Sequence, residues 1–402
     1  MHVLLFDDPA IWPHLLPLTF TRPIAALRCG ILTIAEKWQR RLAAPSIGFL
    51  TQPHLQAKFP AGNVAGPALV INGAVCPDQL LAQQVQRLQP GEGLYDGDLL
   101  VAAHLADASQ VAELIQDGLA TSQEVSESVT IVSRPWHLFL HNGAQIREDF
   151  PLVTQGRQSA PVGDAHTIVY APENIFIESG VKIRAAILNA EDGPIYLGKN
   201  SQVHEGAVVK GAMALCESSY INVGAKMRGD NTVGPFCKVG GEVSNSIIMA
   251  YSNKGHEGFL GNSVIGEWCN IGADTNTSNL KNNYAPVKVW SHAKEHFVNT
   301  GQQFCGLLMG DHAKCGINTM FNTGTVVGVG ANVFGAGFPR TFIPSFSWGG
   351  AHGFETFRLP KMAEVAQRVM GRRLLEYDET EQAIMAHVFE ATAKDRVWER
   401  AN

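Results

Sequence analysis

The side chain best suited to do chemistry in this sequence is His256, which opens a stretch rich in glycine and asparagine at 256–273. Imidazole has a pKa near 6.5, so a histidine can take a proton from an amine at neutral pH and act as a general base. Catalytic groups are commonly carried by loops on a rigid scaffold, which favours a histidine outside the core. The rival histidines are His204, His292, His296 and His312.

The elements that must position His256 follow a six-residue repeat. Aliphatic side chains recur at Leu197, Val203, Val209, Leu215, Ile221, Met227, Val233 and Val239, and a second run comprises Met309, Cys315, Phe321, Val327 and Val333. Neither a helix period of 3.6 nor a strand period of 2 produces this spacing, whereas a solenoid of short parallel strands does. We therefore expect the repeat residues to point into a solenoid core and His204 and His312 to face solvent.

The repeat resembles the hexapeptide repeat of left-handed parallel β-helices, in which three hexads make one coil. Further hexads at Ile177, Ile183, Phe259, Ile265 and Ile271 predict about six coils over residues 165–355. Excursions from the coil are expected near 241–258, which contains His256, and near 278–306. Residues 356–402 change to helical spacing, with Asp378 as an expected N-cap, and predict a C-terminal helical cap over the open end of the solenoid.

Residues 1–164 lack the hexad and alternate between apolar runs and helical segments. The predicted strands include Val3–Phe6, Ile47–Leu50, Leu69–Ile71 and Leu99–Val101, and the predicted helices cover Ala26–Arg41, Pro77–Leu88 and Ala108–Gln116. This alternation is typical of an α/β domain with a largely parallel sheet. The chain is thus expected to join an α/β domain to a β-helix and a helical cap.

The segment Leu16–Pro23, with the sequence LPLTFTRP, resembles the P-L-T-x-x-x-P stretch of sugar-1-phosphate nucleotidyltransferases. Followed by a β-helix, it resembles the GlmU family, in which an N-acetylglucosamine-1-phosphate uridylyltransferase is joined to a glucosamine-1-phosphate acetyltransferase. Two features differ from that family. Residues 8–14 contain two prolines where the family has a glycine-rich loop, and Ile24 stands where the family has a lysine. Prolines remove backbone N–H donors that would bind a triphosphate.

This resemblance implies a nucleotide site in the N-terminal domain with Arg22, Arg28 and Asn72 as binding residues, Asn72 standing where a magnesium ligand is expected. Mg²⁺ is the implied cofactor, and its ligands are left unassigned. The sequence Asp96-Gly97-Asp98 is compatible with a metal site or with a turn, the commoner meaning of an Asp-Gly pair.

Residues 256–273 resemble the H-x-x-Y-x-G-D-x-x-I-G-x-x-x-N-I-G-A segment of the GlmU acetyltransferase domain, with Phe259 and Asn262 in place of its tyrosine and aspartate. The resemblance implies acetyl-CoA as the acyl donor and His256 as the catalytic base. It also implies the remaining roles: Asn270 and Asn283 would bind the amino sugar, Tyr284 would lie near the acyl group, Lys288 near phosphate or coenzyme A, and Lys238 near the sugar phosphate.

Composition excludes several other classes of protein. The 402 residues carry a formal net charge of -6, which offers no general attraction for nucleic acid or an anionic membrane surface, so a phosphate ligand requires a local basic pocket. The seven cysteines are widely spaced and lack zinc-binding patterns, which indicates reduced thiols. The acidic start of the chain lacks the features of an export signal. A cytoplasmic location and no membrane partner are expected.

The sequence therefore favours a two-domain, homotrimeric enzyme of nucleotide-sugar biosynthesis, which combines acetyl transfer to a hexosamine phosphate with nucleotidyl transfer to a sugar 1-phosphate. One alternative is an acyltransferase whose N-terminal domain binds a sugar nucleotide without turning it over. Another is a trimeric β-helix scaffold without activity. The identities of the sugar, the base and the acyl group stay open.

Overall fold

The computed structural model describes residues 2–62, 64, 66–117, 119 and 121–400. The chain forms two compact units that exchange short segments. The first unit comprises the chain up to Leu15, Arg22–Arg28 and Leu32–His137, and the second comprises Leu16–Thr21, Cys29–Ile31 and the chain from Leu138 onward. The segment 16–23, which carries the nucleotidyltransferase resemblance, is therefore divided between the two units.

The first unit is an α/β domain around a six-stranded sheet with the strand order β2-β1-β3-β6-β5-β7. Its elements are β1 His2–Phe6, α1 Ile34–Arg41, β2 Gly48–Leu50, β3 Ala68–Asn72, β4 Val75–Cys76, α2 Gln79–Arg87, β5 Glu92–Asp96, β6 Leu99–Leu105, α3 Val111–Asp117, β7 Thr121–Glu124 and β8 Thr130–Ile131. The four predicted strands correspond to β1, β2, β3 and β6.

Two details of this unit differ from expectation. The sheet is mixed rather than largely parallel, because β6 pairs antiparallel with both β3 and β5. Helix α1 begins at Ile34 rather than Ala26, because Thr33 and Glu36 form a capping box: the Thr33 side chain accepts from the Glu36 N–H at 3.2 Å, and the Glu36 carboxylate accepts from the Thr33 N–H at 2.6 Å. Asp96-Gly97-Asp98 forms the turn between β5 and β6, with Gly97 at a φ of +58°.

A further helix, α4, spans Pro135–Thr154 and was not predicted. Pro135 and Pro151, near its two ends, argued against a helix in the sequence. A proline in the first turn is nevertheless tolerated, because the N–H group that it lacks would have no partner there. Its side chains bind the exchanged segment Cys29–Ile31: the N–H of Gly30 donates to Asn142 Oδ1 and the N–H of Ile31 donates to Asp149 Oδ2, both at 2.8 Å. These bonds place the segment in the second unit.

The second unit continues with many strands of two to four residues. They are β9 Ile168–Tyr170, β10 Ile175–Ile177, β11 Lys182–Ile183, β12 Ile187–Asn189, β13 Ile195–Leu197, β14 Gln202–Val203, β15 Val208–Lys210, β16 Met213–Leu215, β17 Tyr220–Ile221, β18 Lys226–Arg228, β19 Asn231–Val233, β20 Lys238–Val239, β21 Glu242–Ser244, β22 Ile247–Ile248, β23 Asn253–Lys254, β24 Phe259–Gly261, β25 Val264–Ile265, β26 Asn270–Ile271, β27 Asn276–Thr277, β28 Lys288–Ser291, β29 His296–Asn299, β30 Leu308–Met309, β31 Lys314–Cys315, β32 Met320–Phe321, β33 Val326–Val327, β34 Asn332–Val333, β35 Phe342–Ile343, β36 Ser347–Gly350 and β37 Gly353–Thr356.

These strands form the three faces of a parallel β-helix. Face 1 has the order β10-β13-β16-β19-β22-β25-β30-β33-β35, face 2 has the order β11-β14-β17-β20-β23-β26-β31-β34-β36-β37, and face 3 has the order β24-β21-β18-β15-β12-β9, with the β27-β32 pair as a separate short ladder. Neighbouring strands on these faces are parallel except for the terminal β36–β37 pair. The nine stacked strands of face 1 exceed the six coils predicted.

The hexad predicts the interior of this β-helix correctly except at Phe259, which is half-buried, because strand register places the next residue, Leu260, in the core. The residues of both runs are buried, with exposures of 0–1% in the first run and 0–5% in the second, and they belong to one hydrophobic cluster along the helix axis. Each coil buries its apolar residues against those of its neighbours, so burial of this shared core stabilises the stack.

One of the two predicted excursions is wrong. Residues 241–258 stay within the coil as β21, β22 and β23. The repeat is hidden there because the inner residues Val239, Val243 and Ile248 are separated by shortened corners, the first of which turns at Gly240-Gly241. The excursion at 278–306 is present and contains the antiparallel hairpin β28–β29.

The predicted C-terminal helices are α5 Leu359–Gly371 and α6 Glu379–Ala391. Asp378 is the N-cap of α6, as predicted, and its Oδ1 accepts from the N–H of Glu381 at 2.9 Å. The helices pack on the last coils, where the ring of Phe389 lies 5.0 Å from that of Phe346, edge to face.

Two further expectations concern the chain as a whole. Within the described ranges, no helix combines the length and the apolar character needed to cross a bilayer. All seven cysteines are buried, and no disulfide joins them within the described residues.

Candidate active site

A cleft of about 860 Å³ lies along face 2 of the β-helix, next to the end of α5. Its lining combines residues of five consecutive coils with the end of the helix: Asn222, Lys238, Tyr251, Asn253, Gly255, His256, Trp268, Cys269, Asn270, Ile271, Gly272, Ala273, Lys314, Ile317, Val369, Arg372 and Arg373. The cleft thus unites three of the predicted site residues, His256, Asn270 and Lys238.

The floor of the cleft is a ladder of outward side chains from face 2. Strand register pairs Lys238 with Asn253, Asn253 with Asn270, and Asn270 with Lys314. Parallel strands lie about 4.8 Å apart, so these four side chains form a row with a lysine at each end and two amides between them. Such a row can hydrogen-bond a polyhydroxylated ligand along its length and bind anionic groups at its ends.

One edge of the cleft is an aromatic stack at the corner between faces 1 and 2. The rings of Tyr251 and Trp268 lie 4.1 Å apart and 4° from parallel, and Phe236 stacks on Tyr251 at 5.2 Å. All three residues have φ near +60°, a conformation that costs a non-glycine residue roughly 1–2 kcal/mol. We infer that stacking offsets this cost and gives the cleft a flat apolar edge.

His256 lies at the opposite edge, in the corner between β23 and β24, rather than in an excursion. The side chain is exposed, and it also borders a smaller adjoining pocket of about 380 Å³ lined by His204 and Gly240 among others. An exposed imidazole at the rim of a cleft is accessible to a ligand and needs no rearrangement of the core to reach it.

The other histidines are placed less favourably for catalysis. His292 is buried among the aromatic rings of Phe20 and Phe342, both edge-on at about 5.5 Å, and this burial lowers the pKa of His292 to about 4. His312 is also buried rather than solvent-facing, with its ring stacked on Trp268 at 6.1 Å. His296 is exposed on the β28–β29 hairpin, outside the lining of the cleft.

Sequence reasoning missed the contribution of the end of α5, which adds Val369, Arg372 and Arg373 to the cleft. Arg373 is fixed there by a hydrogen bond from Nη2 to the backbone carbonyl of Phe236 at 2.9 Å. The helical pattern of this segment was visible, but the face of the β-helix on which it packs depends on contacts between residues far apart in sequence.

The cleft is electropositive. Among the described lining residues, Lys238, Lys314, Arg372 and Arg373 are basic and none is acidic. Burial lowers the pKa of Lys314, whose Nζ donates to the backbone carbonyl of His312 at 2.9 Å. This local charge in a chain of net charge -6 is the basic pocket that a phosphate ligand requires.

The remaining predicted acetyltransferase residues lie elsewhere in the second unit. Asn283 and Tyr284 belong to the excursion and Lys288 begins β28, and none of them lines the cleft of its own chain. Tyr284 is 64% exposed, and the Asn283 side chain accepts from the N–H of Ala285 at 3.1 Å.

The predicted nucleotide-binding residues lie in the first unit, and two of them are engaged in internal contacts. Asn72 is fully buried; its Nδ2 donates to Asp8 Oδ2 at 3.0 Å and to the carbonyl of Leu100, and its Oδ1 accepts from the N–H of Ala74. Arg28 pairs with Glu36 at 3.4 Å, which helps to hold the pKa of Glu36 below its usual range despite burial. Arg22 is also buried.

The carboxylates that follow β1 fit a structural role better than a Mg²⁺ site. Asp7 accepts from the Thr51 hydroxyl at 2.5 Å and from the N–H of Ile24 at 2.8 Å, and burial raises its pKa to about 6. Asp8 accepts from Asn72 and from the N–H of Ala10. All four carboxylate oxygens thus have protein donors, and the described residues contain no cluster of three or more His, Cys, Asp or Glu side chains suited to a metal.

Part of the segment that carries the nucleotidyltransferase resemblance is structural in the second unit. The Thr21 hydroxyl donates to Asp311 Oδ2 at 2.7 Å in a buried contact, and Asp311 Oδ1 accepts from the N–H of Glu267 at 2.8 Å. Thr21 therefore supports the coil that carries Trp268, next to the cleft.

Comparison with known proteins finds similarity to sugar nucleotidyl transferases and to bifunctional GlmU proteins. Residues 3–158 match the family of sugar nucleotidyl transferases. The bifunctional protein GlmU of Methanococcus aeolicus is 39% identical over 95 residues, which are 23% of this chain and 22% of the relative. That of Methanocaldococcus jannaschii is 41% identical over 87 residues, 22% and 21% of the two chains.

An uncharacterized acetyltransferase of Escherichia coli, YaiX, is 25% identical over 143 residues, which cover 35% of this chain and 61% of the relative. The chain spans about a fifth of the length of the GlmU proteins that it matches. It is therefore similar to GlmU-type bifunctional proteins over part of their length, and its residues 3–158 are similar to sugar nucleotidyl transferases.

The charge of the cleft predicts anion binding that depends on Arg372 and Lys238. Arg372→Ala combined with Lys238→Ala should weaken the binding of inorganic pyrophosphate about 10-fold, since each charged contact at a half-exposed site is worth roughly 0.5–1 kcal/mol. Isothermal titration calorimetry at low salt measures this change.

The matched control is Arg368→Ala, which removes an exposed arginine one turn earlier on α5 that does not line the cleft. It should leave pyrophosphate binding unchanged. An equal loss in the control and in the double variant would contradict a localised site.

Proposed function

We propose that the second unit transfers an acetyl group from acetyl-CoA to the amine of a hexosamine phosphate, as part of nucleotide-sugar biosynthesis. The observation that carries this proposal is the position of His256 at the rim of a basic cleft with an amide ladder and an aromatic edge. The similarity to bifunctional GlmU proteins supports the same reaction. A scaffold without activity would have no need for this combination of groups.

The reaction requires little more than deprotonation and positioning. A sugar amine is mainly ammonium at neutral pH, and His256 takes its proton so that the nitrogen lone pair can attack the thioester carbonyl. A C–N bond forms and the C–S bond breaks; the thiolate of coenzyme A receives the proton held by His256, and the second proton that the amide nitrogen must lose passes to water, so one proton is released overall. No covalent intermediate with the enzyme is needed.

The cleft suggests how the acceptor is oriented. The phosphate would bind near Lys238, Arg372 and Arg373, and the sugar hydroxyls would lie along the amides of Asn253 and Asn270. The apolar edge formed by Tyr251 and Trp268 can pack against the C–H face of a sugar ring. Together these contacts would direct the amine toward His256, and such positioning is a major part of catalysis.

His256→Ala tests the proposed base. It should lower the kcat of acetyl transfer roughly 100-fold or more, because positioned general-base catalysis is lost, while acetyl-CoA binding stays nearly unchanged. The melting temperature should change little, since the side chain is exposed. Turnover with glucosamine 1-phosphate and acetyl-CoA and thermal unfolding are measured on the same variant.

The matched control is His166→Ala, an exposed histidine before the first strand of the β-helix that does not line the cleft, which should retain wild-type kcat. Full activity in a stable His256→Ala protein would refute the assignment of the base.

We also propose that the chain assembles as a homotrimer in which the excursion completes the cleft of a neighbouring subunit. Asn283, Tyr284 and Lys288 do not line the cleft of their own chain, yet family resemblance assigns them to the amino sugar, the acyl group and phosphate or coenzyme A. The exposure of Tyr284 leaves it available for such a contact.

The assembly is tested by mixing subunits. Sedimentation at micromolar concentration should give a trimer, and Tyr284→Ala and His256→Ala proteins should each be impaired. Mixed trimers of the two variants should regain activity, because some interfaces then join an intact His256 to an intact Tyr284. A monomer, or the absence of recovery in mixed trimers, would contradict the shared site.

For the first unit we propose nucleotidyl transfer to a sugar 1-phosphate, on the basis of its match to sugar nucleotidyl transferases, with Arg22, Arg28 and Asn72 at the nucleotide site and Mg²⁺ as the cofactor used by the family. The carboxylates of Asp7 and Asp8 do not fit a Mg²⁺ site, so the proposed reaction assigns no step to the metal. The internal hydrogen bonds of Asn72, Asp7 and Asp8 favour the second candidate, a unit that binds a sugar nucleotide without turning it over.

Arg22→Ala and Arg28→Ala address both candidates. Each should weaken the binding of UTP or UDP-N-acetylglucosamine to the full-length protein several-fold, whereas Arg87→Ala, an exposed residue at the end of α2, should not. Unchanged nucleotide binding would exclude both arginines from the site. Product formation from UTP and a sugar 1-phosphate then distinguishes transfer from binding alone.

A cytoplasmic location is proposed on the same grounds as the reaction. Acetyl transfer from coenzyme A and the formation of nucleotide sugars both draw on metabolites of the cytoplasm, and the seven buried cysteines, which form no disulfide in the described chain, are compatible with a reducing compartment.

A further inference from the structure

The inner row of face 2 contains one charged residue. Strand register places Lys254 beside Val239, in a row whose inner positions in other coils are occupied by Val203, Ile221 and Cys315. Lys254 is only 2% exposed. An aliphatic side chain would satisfy the repeat at this position, and burying an ammonium group is unfavourable, so the lysine is not explained by core packing.

The ammonium group of Lys254 binds the backbone next to the proposed base. Its Nζ donates to the carbonyl oxygen of His256 at 2.6 Å. Burial lowers the pKa of Lys254 to about 8, while the nearby carboxylates of Glu257 and Asp274 and the thiol of Cys315 oppose that shift. A hydrogen bond from a charged donor to a carbonyl in a partly dry environment is among the stronger single contacts in proteins.

The corner that this bond fixes contains Gly255 and Gly258, the latter at a φ of +116°, and glycine has more backbone freedom than other residues. Backbone N–H groups of neighbouring coils bind other carbonyls of this corner, whereas the side chain of Lys254 binds that of His256. The carbonyl of Gly255 accepts from Asn222 Nδ2 at 2.8 Å. Two successive carbonyls, those of residues 255 and 256, are thus bound from different sides: the first by a side chain two coils away, and the second by a side chain from the interior of the β-helix.

We propose that Lys254 is a positioning residue: by binding the His256 carbonyl from inside the β-helix, it fixes the corner at which the imidazole meets the cleft. This inference rests on the proposed role of His256. It explains why the coil that carries His256 has a lysine at an inner repeat position. Lys254 would then affect catalysis without contacting the substrate.

Lys254→Met in the full-length protein tests the proposal. Methionine has a similar length and fills the apolar interior, so the melting temperature should stay the same or rise. The kcat of acetyl transfer should fall about 10-fold, with the KM values for both substrates within about 2-fold of wild type. Lys182→Met, an exposed outward lysine on face 2, is the matched control and should leave both values unchanged.

Hydrogen exchange reports on the corner independently of activity. The N–H of Asp274 donates to the carbonyl of Glu257 at 3.0 Å, and the equivalent bond in the next coil joins the N–H of Asn318 to the carbonyl of Ala273 at 2.8 Å. In Lys254→Met, exchange of the Asp274 amide should accelerate while that of Asn318 does not. Unchanged exchange at Asp274 would overturn the inference.

A double variant separates this inference from the proposed function. If Lys254 acts through His256, Lys254→Met should cause no further loss of activity in a His256→Ala background. If Lys254→Met lowers kcat equally in the wild-type and the His256→Ala backgrounds, the positioning role of Lys254 is overturned. The same follows if Lys254→Met keeps wild-type kcat while His256→Ala is inactive. In both cases the proposed role of His256 is unaffected. Full activity of His256→Ala would refute the proposed base, and the exchange of the Asp274 amide would then decide whether Lys254 fixes the corner.

Discussion

The proposed active site depends on the register of the parallel strands on face 2. Because side chains alternate between the two sides of a strand, a shift of one residue would move the outward row into the core and the inner row into solvent. The inner aliphatic residues prevent such a shift, since their burial holds each coil in place. The ladder from Lys238 to Lys314 is therefore aligned by the buried residues of the core behind it.

Two departures from the regular repeat make a site of this otherwise uniform surface. At one corner, Tyr251 and Trp268 occupy a left-handed position that Asn200 and Ser218 occupy in other coils, and their stacked rings form an apolar edge. At the other corner, Lys254 replaces an inner aliphatic residue and binds the His256 backbone. A β-helix tolerates such local exceptions because the neighbouring coils continue to supply the parallel hydrogen bonds and the buried core on both sides.

In the first unit, by contrast, the residues that the sequence suggested for a ligand site form hydrogen bonds with other protein groups. Asp7 and Asn72 connect the loops at the ends of β1 and β3 to one another and to nearby backbone. Hydrogen bonds satisfy these buried polar groups and stabilise the loops, but they also commit atoms that a nucleotide or metal would need. The family match and this bonding pattern together make the turnover of nucleotides by this unit the central question for experiment.

The amino-acid sequence alone determined the β-helix and most of its inner residues, because a six-residue period has a single simple structural meaning. Its resemblance to GlmU pointed to His256, Asn270 and Lys238, three residues that line one cleft. The sequence did not determine that the corner at 241–258 stays within the coil, since shortened corners hide the repeat. Only the tertiary structure decided that Arg372 and Arg373 join the cleft and that Lys254 points inward beneath His256, because those contacts depend on helix packing and coil register rather than on local pattern.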